Sequence, residues 1–182
     1  MRPSALIGAA CALVLTSTAV AQTPPPAAAP GAPGTAAAPP AARPPAPPAA
    51  PYGAPLSYEQ AERVMAAAIA EARRRNLQLT ISIVEPTGEP VAFVRMTGAG
   101  YGSADVAVAK ARSSARFGRE TRVLEEALAA GRLWPLAVDG LIPVEGGVPI
   151  VVDGRTVGAI GVSGASAQAD GEVARAAEAA AG

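Results

Sequence analysis

Residues 146–164, GGVPIVVDGRTVGAIGVSG, decide how the chain folds. Val148 to Val152 is a short apolar run, Asp153-Gly154 is a strong two-residue hairpin signal, and Val157 to Val162 is the returning strand. Gly158 and Gly161 interrupt that strand, which predicts a bend or the close approach of other backbone. A second hairpin lies upstream. Leu79 to Val84 alternates β-branched residues with Thr80 and Ser82, Pro86-Thr87-Gly88 is a turn, and Val91 to Met96 returns. Leu141-Ile142-Pro143 is one more short apolar run. Counted with the others it predicts an antiparallel sheet of about five strands.

Helical patterns fill the remainder. Ser57 followed three residues later by Gln60 is a capping box. Ala61, Val64, Met65, Ala68, Ile69 and Ala72 then form a one-sided apolar stripe as far as Asn76. Ser103 is positioned to cap a second helix running to about Phe117, and Thr121 a short third one closed by Gly131. Asp170 to Ala181 is an alanine-rich closing helix. The order α-β-β-α-α-β-β-β-α is that of an α+β domain.

Composition narrows the chemistry. The chain has 182 residues, with 15 basic and 15 acidic side chains. Zero net charge argues against an electrostatic nucleic-acid binder. Histidine is absent, which excludes a Ser-His-Asp triad, a Cys-His pair and His-ligated zinc or haem. Cys11 is the only cysteine, so neither an intramolecular disulfide nor a thiolate cluster is available.

The first 55 residues are read apart from the domain. Arg2, the apolar stretch Ala5 to Leu15 and the small-x-small site Ala19-Val20-Ala21 predict a signal peptide over residues 1–21. The mature chain would begin at Gln22, be periplasmic or secreted, and carry no membrane anchor. Gly8 and the few apolar residues before Cys11 fit a lipoprotein signal poorly. Residues 22–55 hold 13 of the 19 prolines, with Arg43 as their only charge. Such a tract cannot bury enough side chain to offset its ordering entropy. It is expected to be a disordered, largely polyproline II linker, either a spacer or a tolerated leader. Residues 56–182 are the folded unit, with 13 basic and 15 acidic residues.

Several strings within that unit resemble one family in order and spacing. They are Arg95-Met96-Thr97-Gly98-Ala99, Lys110-Ala111, Phe117-Gly118-Arg119-Glu120-Thr121, Gly146-Gly147-Val148-Pro149-Ile150 and Val157 to Gly164, followed by Asp170. Together they are similar to the GlcG/HbpS-like haem-binding family over essentially all of 56–182. The resemblance implies a profilin-like fold, a homo-oligomer and small-molecule binding, with haem as the recorded ligand of some members. Glu85 and Thr97 stand where members often have Asp.

The candidate ligand residues are Arg95, Lys110, Ser113, Arg116, Phe117, Gly146 and Gly147. Lys110 is the only lysine and shares a helix face with Ser113 or Ser114. It reads either as a carboxylate contact or as a lysine snorkelling on a solvated face. Arg112, Arg116, Arg119 and Arg122 read as surface ion pairs or as an anion-binding rim. Gly146-Gly147 reads as a backbone N–H cradle or a tight turn. Apolar Phe93 and Phe117 beside these charges would suit haem or another planar anionic ligand. Without histidine, Tyr101 in the glycine loop is the candidate axial ligand for haem iron. Glu59 and Glu62 share a helix face and read loosely as a surface iron motif, a spacing frequent by chance. The alternative function is an isomerase- or lyase-like catabolic enzyme with Lys110 as acid/base beside Glu85 or Asp170. A third reading is a structural oligomer without a ligand.

Overall fold

Both hairpins form, and they join into one antiparallel sheet. In the computed structural model, which describes residues 48–182, β1 (Thr80–Val84) pairs with β2 (Pro90–Arg95), and β3 (Gly147–Val152) with β4 (Arg155–Ser163). Pairing of β1 with β4 gives the order β2-β1-β4-β3. Asp153 and Gly154 take positive φ (49° and 70°), as a tight two-residue hairpin requires. The sheet therefore has four strands and not the expected five. Residues 141–143 are irregular because the Ile142 N–H is taken by the Ser113 hydroxyl at 2.9 Å. The signal peptide and most of the Pro/Ala tract lie outside the described residues.

The sheet separates two unlike layers. Ile81, Ile83, Val148, Ile150, Ile160 and Val162 belong to a core with Val64 and Ala68 of α1 (Tyr58–Arg74) and Val173 and Ala177 of α4 (Ala167–Glu178). A smaller cluster of Val84, Ala159, Ala111 and Ala115 involves α2 (Ser103–Phe117). Small residues there bring α2 almost onto the strands. A Cβ on Gly161 would overlap the Ala107 carbonyl, and one on Gly147 the Lys110 carbonyl. Of the two glycines that interrupt the strand pattern, Gly161 serves this close approach, while Gly158 makes room for the Val84 carbonyl and Leu56.

Asn76 and Gly131 end α1 and α3 with positive φ (57° and 80°), as expected, whereas the helix starts depart from the expected caps except at α1. There Ser57 and Gln60 form the capping box. Ser103 is the first residue of α2, and its hydroxyl bonds the Gly100 carbonyl and the Thr80 hydroxyl. Thr121 opens α3 (Thr121–Ala129) but accepts the Gly147 N–H at 2.9 Å. α4 starts three residues before Asp170, capped by Ser166. In each case a tertiary partner outcompeted the local cap, or a nearer hydroxyl supplied it.

The end of the Pro/Ala tract is ordered. Gly53 N–H donates to Thr156 O, Thr156 N–H to Pro51 O, and Leu56 N–H to Val157 O. Tyr52 forms a parallel bridge with Thr156, and its hydroxyl lies 2.9 and 2.8 Å from the Ala115 and Arg116 carbonyls. The tract's last residues thus occupy the side of β4 that β1 leaves open.

Candidate functional site

The expected ligand residues do not converge. Helix α2 places them at three levels, and its two ends lie roughly 21 Å apart, since an α-helix rises about 1.5 Å per residue. At the N-terminal end Arg95 stacks over Tyr101, with 4.7 Å from guanidinium carbon to ring centroid, and donates to the Ala99 carbonyl at 2.7 Å. Tyr101 is 84% exposed, so it has no enclosing pocket in which to meet a haem iron. Among the described residues no group of three or more His, Cys, Asp or Glu is placed to hold a metal ion.

Mid-helix, Lys110 corrects its expected place on a solvated face. It and Asp170 are each only 2% exposed, and their side chains meet at 2.9 Å. The ammonium also donates to Val162 O at 3.0 Å, while Asp170 accepts the Ala165 N–H. Burial pushes the Asp170 carboxyl above its ordinary range, against the opposing pull of Lys110 and of the Ala165 and Gly164 N–H groups. The pair ties α2 to α4 at the end of β4, and its burial takes both groups away from any substrate. Glu85, the other partner in the enzymatic reading, accepts the Thr87 hydroxyl in the β1–β2 turn.

The neighbouring residues are also committed. Ser113 is buried and accepts from Ile142. Gly147 gives its N–H to Thr121, and Gly146 accepts from Val162. The cradle reading fails at Gly147, whose N–H is spent within the fold. Gly146 has φ of 130°, and a Cβ there would sit 2.6 Å from the Val162 carbonyl and 2.7 Å from Lys110 Nζ, so its backbone conformation, β4 and the buried lysine together require glycine.

The open feature lies at the C-terminal end of α2. Phe117, with Val123, Leu124 and Ala127 of α3, lines a cleft of about 380 Å³ whose remaining lining is Ala49, Arg119, Arg132 and Trp134. The Phe117 and Trp134 rings lie 6.1 Å apart at 42°. Trp134 is 45% exposed, in a loop that also exposes Leu133, Leu136 and Val138. Arg119 and Arg132 are exposed, and among the described residues neither forms an ion pair, unlike Arg122 and Arg175, which are bound to Glu120. Arg116 points elsewhere and donates to the Thr87 carbonyl at 3.5 Å. Of the expected ligand residues, Phe117 alone lines the cleft. Trp134 and Arg132 escaped sequence reasoning, although a lone tryptophan before a proline in an apolar loop was a signal to weigh.

The family can now be set beside this geometry. A family model described as haem-degrading protein HbpS-like matches residues 56–179. The chain belongs to the HbpS-like family. It is 38% identical to protein GlcG of Escherichia coli K12 over 108 residues, 59% of this chain and 81% of that protein. The crystal structure of HbpS superposes with a TM-score of 0.67 at 29% identity, covering 71% of this chain and 92% of that one. A crystal structure of a PduOC–haem complex superposes at 0.64 with 26% identity, covering 69% and 94%. HbpS-like architecture is therefore a fold in which one structural neighbour is seen with haem. For this chain, the cleft lining can be compared with that ligand. Its aromatic and aliphatic walls suit the face of a porphyrin and its two arginines suit carboxylates, but none of the lining side chains is an iron ligand.

Proposed function

We propose that the chain is an exported binding protein for a planar, carboxylate-bearing small molecule, haem foremost, held in the Phe117–Trp134 cleft. The observation that carries this reading is the pairing of a tilted aromatic wall with two guanidinium groups not engaged with acidic partners. Such a lining buries a ring on apolar surface and orients it through a few charged contacts. Arg119 and Arg132 present planar forks that match carboxylate geometry. Similarity to a protein seen with haem supports the choice of ligand. With no iron ligand in the lining, recognition is of the macrocycle and its carboxylates. Haemin and iron-free protoporphyrin are then expected to bind alike, each quenching Trp134. Arg119→Ala with Arg132→Ala is expected to weaken both about tenfold, since two exposed charge contacts at roughly 0.2–1 kcal/mol each, taken toward the upper end, sum to about 1.4 kcal/mol. Unchanged affinity in the double variant, or no saturable quenching in either chain, overturns the reading.

Export rests on the Ala19-Val20-Ala21 site. N-terminal sequencing of protein from the host is expected to begin at Gln22, and an intact Met1 or a lipidated Cys11 refutes it. Among the described residues no helix is long and apolar enough to cross a membrane. A homo-oligomer is supported by the exposed Leu133, Leu136 and Val138. Sedimentation showing only monomer at micromolar concentration contradicts it.

A further inference from the structure

We infer that β2 is a docking edge for the β2 of a second copy, the two strands running antiparallel about a two-fold axis at Val94 and joining the sheets of both copies into one. The inference rests on the homo-oligomer reading and gives it a surface away from the exposed loop around Trp134.

The sheet has two edges, β3 and β2, and side chains close the first. Gly146 O accepts the Val162 N–H at 2.9 Å, so by the alternation of an antiparallel ladder Val148 and Ile150 also turn to β4, and Gly147, Pro149 and Val151 turn outward. None of these three offers a free amide. Gly147 gives its N–H to the Thr121 hydroxyl at 2.9 Å, Val151 gives its own to the Glu178 carboxylate at 3.0 Å, and Pro149 has none. β2 differs. Its Met96 N–H bonds Leu79 O at 2.9 Å, and the register continues through Ile81–Val94 and Ile83–Ala92, which leaves the amides of Phe93 and Arg95 turned outward. Among the described residues nothing accepts from either one. Such an edge is a template for a further strand.

The side chains say which strand. Phe93 and Arg95, two residues apart, share one face of the sheet, and both are exposed, Phe93 at 44%. Arg95 already stacks one face of its guanidinium on Tyr101. A second β2, set with its Phe93 opposite Arg95 and its Arg95 opposite Phe93, takes up the outward amides of both copies. Opposite Cβ atoms in a ladder stand about 4.5–5.5 Å apart, within the roughly 6 Å reach of a cation–π contact. Each guanidinium is then held between Tyr101 of its own chain and Phe93 of the second copy. On the other face Val94 meets Val94 of the second copy, and Met96 meets its Ala92. These residues are partly buried against the core, so the pairing extends an existing apolar layer. Any extended strand could take the hydrogen bonds. The alternation Phe93-Val94-Arg95 is what makes β2 complementary to itself, with no like charges directly opposite.

Sedimentation and amide hydrogen exchange on the full chain test this, with thermal melts to establish that each variant is folded. Where the chain associates, the Phe93 and Arg95 amides are expected to be protected, and the protection to fall on dilution, a readout that needs no variant. Phe93→Lys sets an ammonium opposite Arg95 of the second copy and is expected to halve or dissociate the assembly, raising its midpoint concentration about tenfold or more. Phe93→Lys with Arg95→Glu places opposite charges there and is expected to restore it. Dissociation without that recovery overturns the register. Phe93 and Arg95 amides that exchange freely in an assembled chain, or an assembly that Phe93→Lys leaves at full size, overturn this surface and leave the homo-oligomer reading standing. A chain monomeric at every concentration overturns both and leaves the edge to an extended segment of another protein.

Discussion

Replacing Lys110 with Met tests the central correction that the structure makes. Methionine keeps most of the volume of the lysine stem but removes the charge that faces Asp170 at 2.9 Å. Breaking a buried ion pair by removing one partner costs about 3–5 kcal/mol, because the other charge is left without compensation. Asp170 keeps the Ala165 N–H and can take up a proton, which holds the loss near the lower end. A domain of this size loses roughly 3–5 °C in Tm per kcal/mol, so a fall of roughly 10–20 °C is expected. The pH dependence supplies a second signature. Burial raises the folded pKa of Asp170 above its ordinary value of 3.8 even beside Lys110, and loss of Lys110 removes a group that pulls it down. The contribution of Asp170 is fully present below that value and is lost as pH rises through the raised one. The deficit of Lys110→Met relative to wild type should therefore shrink on going from pH 7 toward pH 4. Adding Asp170→Leu should recover much of the stability at neutral pH, since apolar replacement of both partners removes the stranded charge. Thermal melts across pH decide the matter. A Tm within about 3 °C of wild type at pH 7, coupled with lost haemin binding, would place Lys110 at a ligand and refute the buried-pair argument.

Other perturbations address the close approach of α2, the docked tract and the surface charges. Gly161→Ala forces a methyl group against the Ala107 carbonyl and to 2.5 Å from the Ala111 nitrogen, backbone atoms that cannot swing away. It should cost about 3 kcal/mol or more by chemical denaturation, at the upper end of overpacking losses. Gly100→Ala, with nothing within 4 Å, is its control. Tyr52→Phe removes the hydroxyl from the Ala115 and Arg116 carbonyls and should lower stability by about 0.5–1.5 kcal/mol, whereas an unchanged denaturation midpoint would show that the tract end does not clamp α2. A chain starting at Pro55 should for the same reason melt below the full chain. Glu71 is held at about 2 by Arg74 and, beside it, Arg75. Its stabilising contribution is present above its ordinary value of 4.5 and is lost as pH falls toward 2, so acid titration of Glu71→Gln should be flatter over that interval.

Much of the fold was legible because it follows from local periodicity. The stripe from Ala61 to Ala72, the capping box at Ser57 and the Asp153-Gly154 turn each act within a few residues, and each formed as read. What escaped depends on contacts between residues distant in sequence. Leu141-Ile142-Pro143 has strand composition, but Ser113, 29 residues away, takes its amide. Thr121 has the chemistry of a cap, but Gly147 claims its oxygen. Lys110 was singled out for being alone, yet its spacing to Ser113 could not reveal whether that face looks at water or at Asp170, 60 residues on. The Pro/Ala tract was read by composition, and composition was silent about the stretch from Pro51 to Leu56, which follows β4 through backbone hydrogen bonds.

The same close packing explains why the proposed site lies where it does. A pocket between the sheet and α2 was the natural expectation for Lys110, Ser113 and the Gly146-Gly147 turn. Ala107, Ala111 and Ala115 on the helix, against Gly147 and Gly161 on the strands, leave that layer little room, because a Cβ added at either glycine meets the backbone of α2. A polar group caught there must find a protein partner, and Lys110 finds Asp170 and Val162 O. Space opens where α2 ends at Gly118 in the left-handed conformation and the chain turns into α3. Aromatic and basic side chains can gather there without displacing the core. The helix contact that secures the fold thus leaves an open cleft not at the middle of α2 but at its C-terminal end, where Ala49 of the proline tract also lies.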